Sequence, residues 1–184
     1  WHYGDACLSS FRKSMNSCLV RTNGTPLLLI PLLSALLWST APAQDANKEV
    51  TVTDKGDRVV LDNGIVSAEI AKSNGNLLSF KFGDRAVFQQ SAYLDWQSSG
   101  NNHIGKGRCI LHRDPAANGG EMAEVAVVET YSGGKSPFDV ELHYVLRRGD
   151  SGLYTYAVFR HLPQYPAGGI GQARFVMRLD DELF

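Results

Sequence analysis

Downstream of residue 44 the chain alternates between short apolar runs and turn chemistry, with almost no helical period. Val50-Thr51-Val52-Thr53 is β-branched and alternating. Residues 59–61 and 65–70 are apolar runs separated by Asp62-Asn63-Gly64. Asn-Gly between two such runs predicts a hairpin whose central residues both take positive φ. A second hairpin of the same chemistry is expected at Gly83-Asp84, between residues 77–82 and 86–88. Residues 93–96 form a further short strand candidate. The Ser/Gly/Asn-rich stretch 97–107 and residues 114–120 read as loops.

The second half carries longer strands. In Phe138-Asp139-Val140-Glu141-Leu142-His143-Tyr144, apolar and polar residues alternate strictly, the pattern of a sheet with one wet face. Residues 122–131 and 153–160 are apolar on both sides and predict central strands covered on both faces. Gly149-Asp150-Ser151-Gly152 is a tight turn between two of these strands. The expected architecture is all-β, an antiparallel β-sandwich of about ten strands.

Residues 1–43 carry a different signal. From Met15 the order is a polar stretch with Arg21, an apolar run over 27–38, and Ala41-Pro42-Ala43. A basic start, a short apolar core and a small-x-small exit predict a signal peptide over 15–43, cleaved after Ala43. The apolar run is shorter than the roughly 20 residues a membrane span needs. Pro26 and Pro31 argue against a buried helix. Residues 1–14 then form an upstream extension, and 44–184 the folded domain, secreted or periplasmic and free of the membrane after cleavage. At the other end, Asp180-Asp181-Glu182-Leu183 runs into Phe184 without turn chemistry, which predicts a truncated polypeptide with further C-terminal domains missing.

Residues 44–184 hold 15 Lys plus Arg against 18 Asp plus Glu, a formal charge of −3. No basic stripe is present, so a nucleic-acid partner is not expected. Cys109 is the one cysteine after residue 43 and reads as a small buried hydrophobe. No His/Cys cluster or Asp-x-Asp-x-Asp run has metal-ligand spacing, and Gly168-Gly169-Ile170-Gly171 lacks the Lys-Ser/Thr of a phosphate loop. Neither a metal nor another cofactor is therefore expected.

The stretch from Gly171 to Leu179 is the most informative. Read as a strand, it points Ala173, Phe175, Met177 and Leu179 into the core, and Gln172, Arg174, Val176 and Arg178 to the opposite face. Arg174 and Arg178 then lie roughly 13 Å apart at about 3.3 Å per residue. A guanidinium fork binds carboxylates through two parallel hydrogen bonds; the bland alternative is two solvated arginines. Among possible bases, His103 with Lys106 is the sole histidine–lysine pairing close in sequence, in a Gly-rich loop that would hold a base poorly. His143 is expected to face solvent or a second layer, and His161 to hydrogen-bond within a loop. Trp96 and Tyr165 are candidate sugar platforms that read more readily as packing residues.

Gly171-Gln172-Ala173-Arg174-Phe175-Val176-Met177-Arg178-Leu179-Asp180-Asp181-Glu182-Leu183 resembles a strand of the rhamnogalacturonan lyases, polysaccharide lyase family 4. So does the run of residues 151–163. Val59-Val60-Leu61-Asp62-Asn63-Gly64-Ile65-Val66-Ser67 is similar to that family's first hairpin, and His103-Ile104-Gly105-Lys106-Gly107 to a loop of its first domain. The resemblance spans about residues 50–184 in order. It implies a galactose-mutarotase-like supersandwich, incomplete at the C-terminus, and cleavage of the rhamnose–galacturonate backbone of pectin (rhamnogalacturonan I) by β-elimination. It further implies that Arg174 and Arg178 line the substrate groove. The family's lysine base and histidine acid fall downstream, beyond Phe184, so the chain alone is expected to be inactive. The alternatives are a non-catalytic carbohydrate-binding sandwich and a sugar mutarotase. The latter needs a His–carboxylate pair aimed at an anomeric centre, and the sequence alone shows no such pair.

Overall fold

The computed structural model describes residues 47–183, so the expected extension 1–14 and signal peptide 15–43 lie outside the described residues. Among the described residues, twelve antiparallel strands form three sheets, against the about ten that the turn signals predict. The first sheet runs in chain order through β1 (Thr51–Asp54), β2 (Arg58–Asp62), β3 (Val66–Ala71), β4 (Leu77–Phe82) and β5 (Arg85–Ala86). A small sheet holds β6 (Tyr93–Gln97) and β7 (Asn101–Asn102), with β12 (Gln172–Val176) on the other side of β6. The remaining sheet has β8 (Arg108–Arg113), β9 (Met122–Glu129), β10 (Asp139–Arg147) and β11 (Tyr154–Arg160), also in chain order. Both predicted loops contain structure: β7 lies inside 97–107, and a 3₁₀ turn (Pro115–Ala117), started by Asp114 accepting from the Ala116 amide, lies inside 114–120.

One apolar cluster joins the sheets and makes the molecule a sandwich. Leu61, Ala68 and Ile70 come from the first sheet, Val125, Val127, Leu142, Tyr144 and Leu146 from the β8–β11 sheet, and Leu94 and Trp96 from β6. Each contributes alternate residues, as the period of two in a strand requires. Full burial of one such aliphatic or aromatic side chain contributes about 1.5–3 kcal/mol. Tyr144 is fully buried, and its hydroxyl donates to the Gly75 carbonyl (2.7 Å), tying β10 to the turn before β4.

The first hairpin forms, but not for the expected reason. Gly64 has φ 82°, whereas Asn63 does not take positive φ. Asn63 is instead completely buried. Its Oδ1 accepts from the amides of Ile65 (3.0 Å) and Val66 (2.9 Å). Its Nδ2 donates to the carbonyls of Arg147 (2.7 Å) and Asp150 (2.8 Å) in the β10–β11 turn. The side chain thus closes its own turn and fastens it to another.

Two further expectations are corrected. Residues 153–160 were expected in a central strand, but β11 is the edge of its sheet, and Tyr154 and Tyr156 are exposed. The alternation in β10 predicted a wet face, yet Asp139 and His143 are both buried. Asp139 accepts from the Tyr131 amide (2.8 Å) and the Tyr165 hydroxyl (2.7 Å). The polar positions of β10 are covered by a second layer of polar groups rather than by water.

Candidate functional site

β12 pairs with β6 in a register that sets Arg174 directly opposite Asp95. Arg174 donates from Nε to Asp95 Oδ1 (2.9 Å) and from Nη2 to Oδ2 (2.6 Å), a two-pronged fork. These charged hydrogen bonds hold the Asp95 carboxyl below the ordinary carboxylate range, against a smaller opposing effect of burial. The Arg174 side chain remains 48 % exposed, and the fork uses two of its five N–H donors. The remaining donors are accessible to a second anion.

β12 ends at Val176, so the strand expected through residue 179 is interrupted. The segment continues irregularly beside residues 87–90: Leu179 bridges to Phe88, the Asp180 amide donates to the Val87 carbonyl (3.1 Å), and Gln89 Nε2 donates to Asp181 (2.9 Å). Of the four side chains expected in the core, only Phe175 packs against it; Ala173, Met177 and Leu179 are exposed. Strand alternation therefore places Arg174 but not Arg178. Arg178 Nη1 donates to Gln90 Oε1 (3.4 Å) and, among the described residues, forms no ion pair. Its charge is not neutralised locally.

Beside Arg174 opens a groove of 290 Å³, lined by Leu94, Phe159 and Phe175 together with Thr155, Tyr156 and Arg174. An apolar lining next to a guanidinium and a phenol suits a sugar ring bearing a carboxylate. No lysine or histidine lines this groove.

Tyr156 connects the groove to a polar cluster on the outer face of the β8–β11 sheet. Its ring stacks on His143 at 4.3 Å, and its hydroxyl donates to Glu124 Oε1 (2.7 Å). That bond to a carboxylate pushes the Tyr156 phenol up to about 12 despite its exposure. His143 Nδ1 lies 2.9 Å from Glu124 Oε1 and Nε2 3.2 Å from Glu141 Oε2. Arg160 donates to the other Glu141 oxygen (3.1 Å), and His112 approaches His143 with ring centroids 5.1 Å apart. Sequence spacing gave no hint of this grouping, because the pleat of four neighbouring strands, β8 to β11, assembles it.

The other candidates fall elsewhere. His103 lines a separate polar cavity of 160 Å³ with Glu129, Tyr131 and Lys135; Lys106, the neighbour with which it was weighed and discounted as a base, is not among the lining residues. His161 Nε2 donates to the Pro166 carbonyl (2.9 Å), the loop role expected of it. Trp96 is buried and donates to Ser136 Oγ (2.7 Å), while Tyr165 packs on Tyr131 and bonds Asp139. Both are packing residues rather than platforms. Cys109 is half-buried, and burial pushes its thiol up, as suits an inert side chain.

A sequence model of the rhamnogalacturonate lyase family matches residues 37–184. No curated protein gives a match to the chain.

Proposed function

The chain belongs to the rhamnogalacturonate lyase family, and on that premise we propose that it is the first sandwich domain of an exported enzyme that cleaves rhamnogalacturonan by β-elimination. In this reading the groove beside β12 receives a galacturonate unit. Arg174, oriented by Asp95, offers its remaining donors to the sugar carboxylate. Arg178, which has no ion pair among the described residues and is not among the residues lining that groove, is proposed to add positive charge from just beyond the end of β12. The observation that carries the reading is the half-exposed fork of Arg174 at the edge of a partly apolar groove.

The chemistry explains why arginine belongs there. β-Elimination removes the proton on the carbon next to the carboxylate, forms a carbon–carbon double bond, and expels the glycosidic oxygen. Neutralising the carboxylate acidifies that proton and stabilises the enolate-like charge that develops as it leaves. A base must take the proton and an acid can protonate the departing oxygen. With no lysine or histidine along the groove, both are proposed to come from outside the described residues.

The same observation favours a second reading, a carbohydrate-binding sandwich without catalysis. One experiment addresses the carboxylate in both. Rhamnogalacturonan and the same polymer with its uronates reduced to neutral sugars are titrated into the full chain. The reading expects the reduced polymer to bind at least about tenfold more weakly, since one charged hydrogen bond contributes about 1.5–3 kcal/mol. Equal affinity would remove the basis for a uronate site. Release of unsaturated uronate, followed by ultraviolet absorbance, separates lyase from binding module.

A further inference from the structure

We propose that His112, Glu141 and His143 form a binding site for a divalent transition-metal ion of the zinc class on the outer face of the β8–β11 sheet. One ligand atom from each of the three lies within 4.8 Å of the others. Two of the three are already near a coordinating arrangement. His143 Nε2 and Glu141 Oε2 are 3.2 Å apart, and two ligands of a tetrahedral ion with bonds of about 2.1 Å sit about 3.4 Å apart.

The surrounding groups orient these two as metal ligands are usually oriented. Tyr156 and His143 Nδ1 both meet Glu124 Oε1, at 2.7 and 2.9 Å. Tyr156 donates there, and a His143 tautomer with its proton on Nδ1 would donate to the same carboxylate and turn the Nε2 lone pair toward Glu141. Arg160 holds the far oxygen of Glu141 at 3.1 Å and leaves Oε2 for the ion. The His143 ring is clamped under Tyr156.

His112 is the adaptable third ligand. The β8–β9 register slips between Leu111 and Arg113, so His112 sits in a β-bulge on an edge strand. Bulges re-aim a side chain relative to regular pleating. Here the bulge brings an exposed imidazole beside a buried one, and rotation of its side chain can close the separation from within 4.8 Å toward the roughly 3.4 Å between ligands of a tetrahedral ion. Two histidines and one carboxylate are a nitrogen–oxygen set suited to zinc, with a fourth position left to solvent.

The test uses the full chain stripped with a chelator and titrated with Zn²⁺ against a chromophoric competitor. His112→Ala provides the comparison, because His112 is exposed and its removal spares the core. The wild type is expected to bind zinc at least tenfold more tightly than His112→Ala, and Glu141→Gln to show a similar loss. Co²⁺ in place of zinc is expected to give the intense visible absorption of a four-coordinate ion in the wild type and not in His112→Ala. Zinc bound elsewhere, for example by cysteines, would be the same in both proteins. Equal zinc affinity and equal cobalt spectra in wild type and His112→Ala would overturn the proposal, as would absence of zinc binding to the wild type.

Discussion

Replacing Asn63 by alanine is the sharpest test of how this sandwich is held together. The substitution removes four hydrogen bonds at a fully buried position: two accepted from the amides of Ile65 and Val66, two donated to the carbonyls of Arg147 and Asp150. At about 1 kcal/mol net per bond, the loss is about 4 kcal/mol. That is a large part of the roughly 5–15 kcal/mol that stabilises a whole domain. At about 2–4 °C per kcal/mol for a chain of this size, Tm falls by about 8–16 °C. Asn63→Asp is expected to fare no better. It keeps the acceptor for the two amides but sets a carboxylate against two carbonyls. Asp62→Ala, at a neighbouring and more exposed position of the same turn, is the control; thermal unfolding by circular dichroism is the assay. If Asn63→Ala melted within about 2 °C of the wild type, the cross-turn clamp would not contribute as described.

Two titrations test the electrostatics. Tyr156 is expected to ionise near 12 by tyrosinate absorbance, and Glu124→Gln to bring it down, because the Glu124 hydrogen bond is the main cause of its rise; an unchanged titration would contradict that cause. The Asp95 carboxyl is depressed in the folded state by Arg174. Its contribution to stability is therefore complete above the unfolded carboxylate pKa and disappears as pH falls through the lower folded value. Carbon-13 NMR of the carboxyl should show it titrating below the ordinary range in the wild type and moving upward in Arg174→Ala; coincident curves would mean that the fork does not persist in solution.

The strand pattern was largely legible because period-two alternation and turn residues are local properties. β2 with β3, β4 with β5, and β10 with β11 all form about the turns expected for them. What escaped was set by neighbours distant in sequence. Residues 153–160 are apolar enough for a central strand, yet sheet order makes β11 an edge. His143 read as facing solvent or a second layer, but the residues that form that layer, Glu124, His112 and Tyr156, arrive from three other strands and were not legible. Asn63 was recognised as a turn residue, while its longer-range role depended on carbonyls more than 80 positions away.

The arginine site shows the same division. Arg174 and Arg178 stand out by residue type and spacing, and their family resemblance adds an expected ligand. Asp95 could not be assigned to Arg174 beforehand, because their juxtaposition follows from the β6–β12 register, 79 residues apart in the chain. The interruption of β12 at Val176 was equally hidden. An apolar alternation through Leu179 reads as a continuing strand, whereas the backbone instead slips to pair Leu179 with Phe88.

The central claim is that a sugar carboxylate is held by guanidinium groups beside β12, and calorimetric binding of rhamnogalacturonan to single arginine variants measures it. Loss of one charged hydrogen bond, about 1.5–3 kcal/mol, corresponds to weakening by about 10- to 150-fold. Arg174→Ala and Arg178→Ala are each expected in that range, with Arg174→Lys intermediate because a point charge replaces the fork. Wild-type affinity in both alanine variants would place the uronate elsewhere and contradict the account.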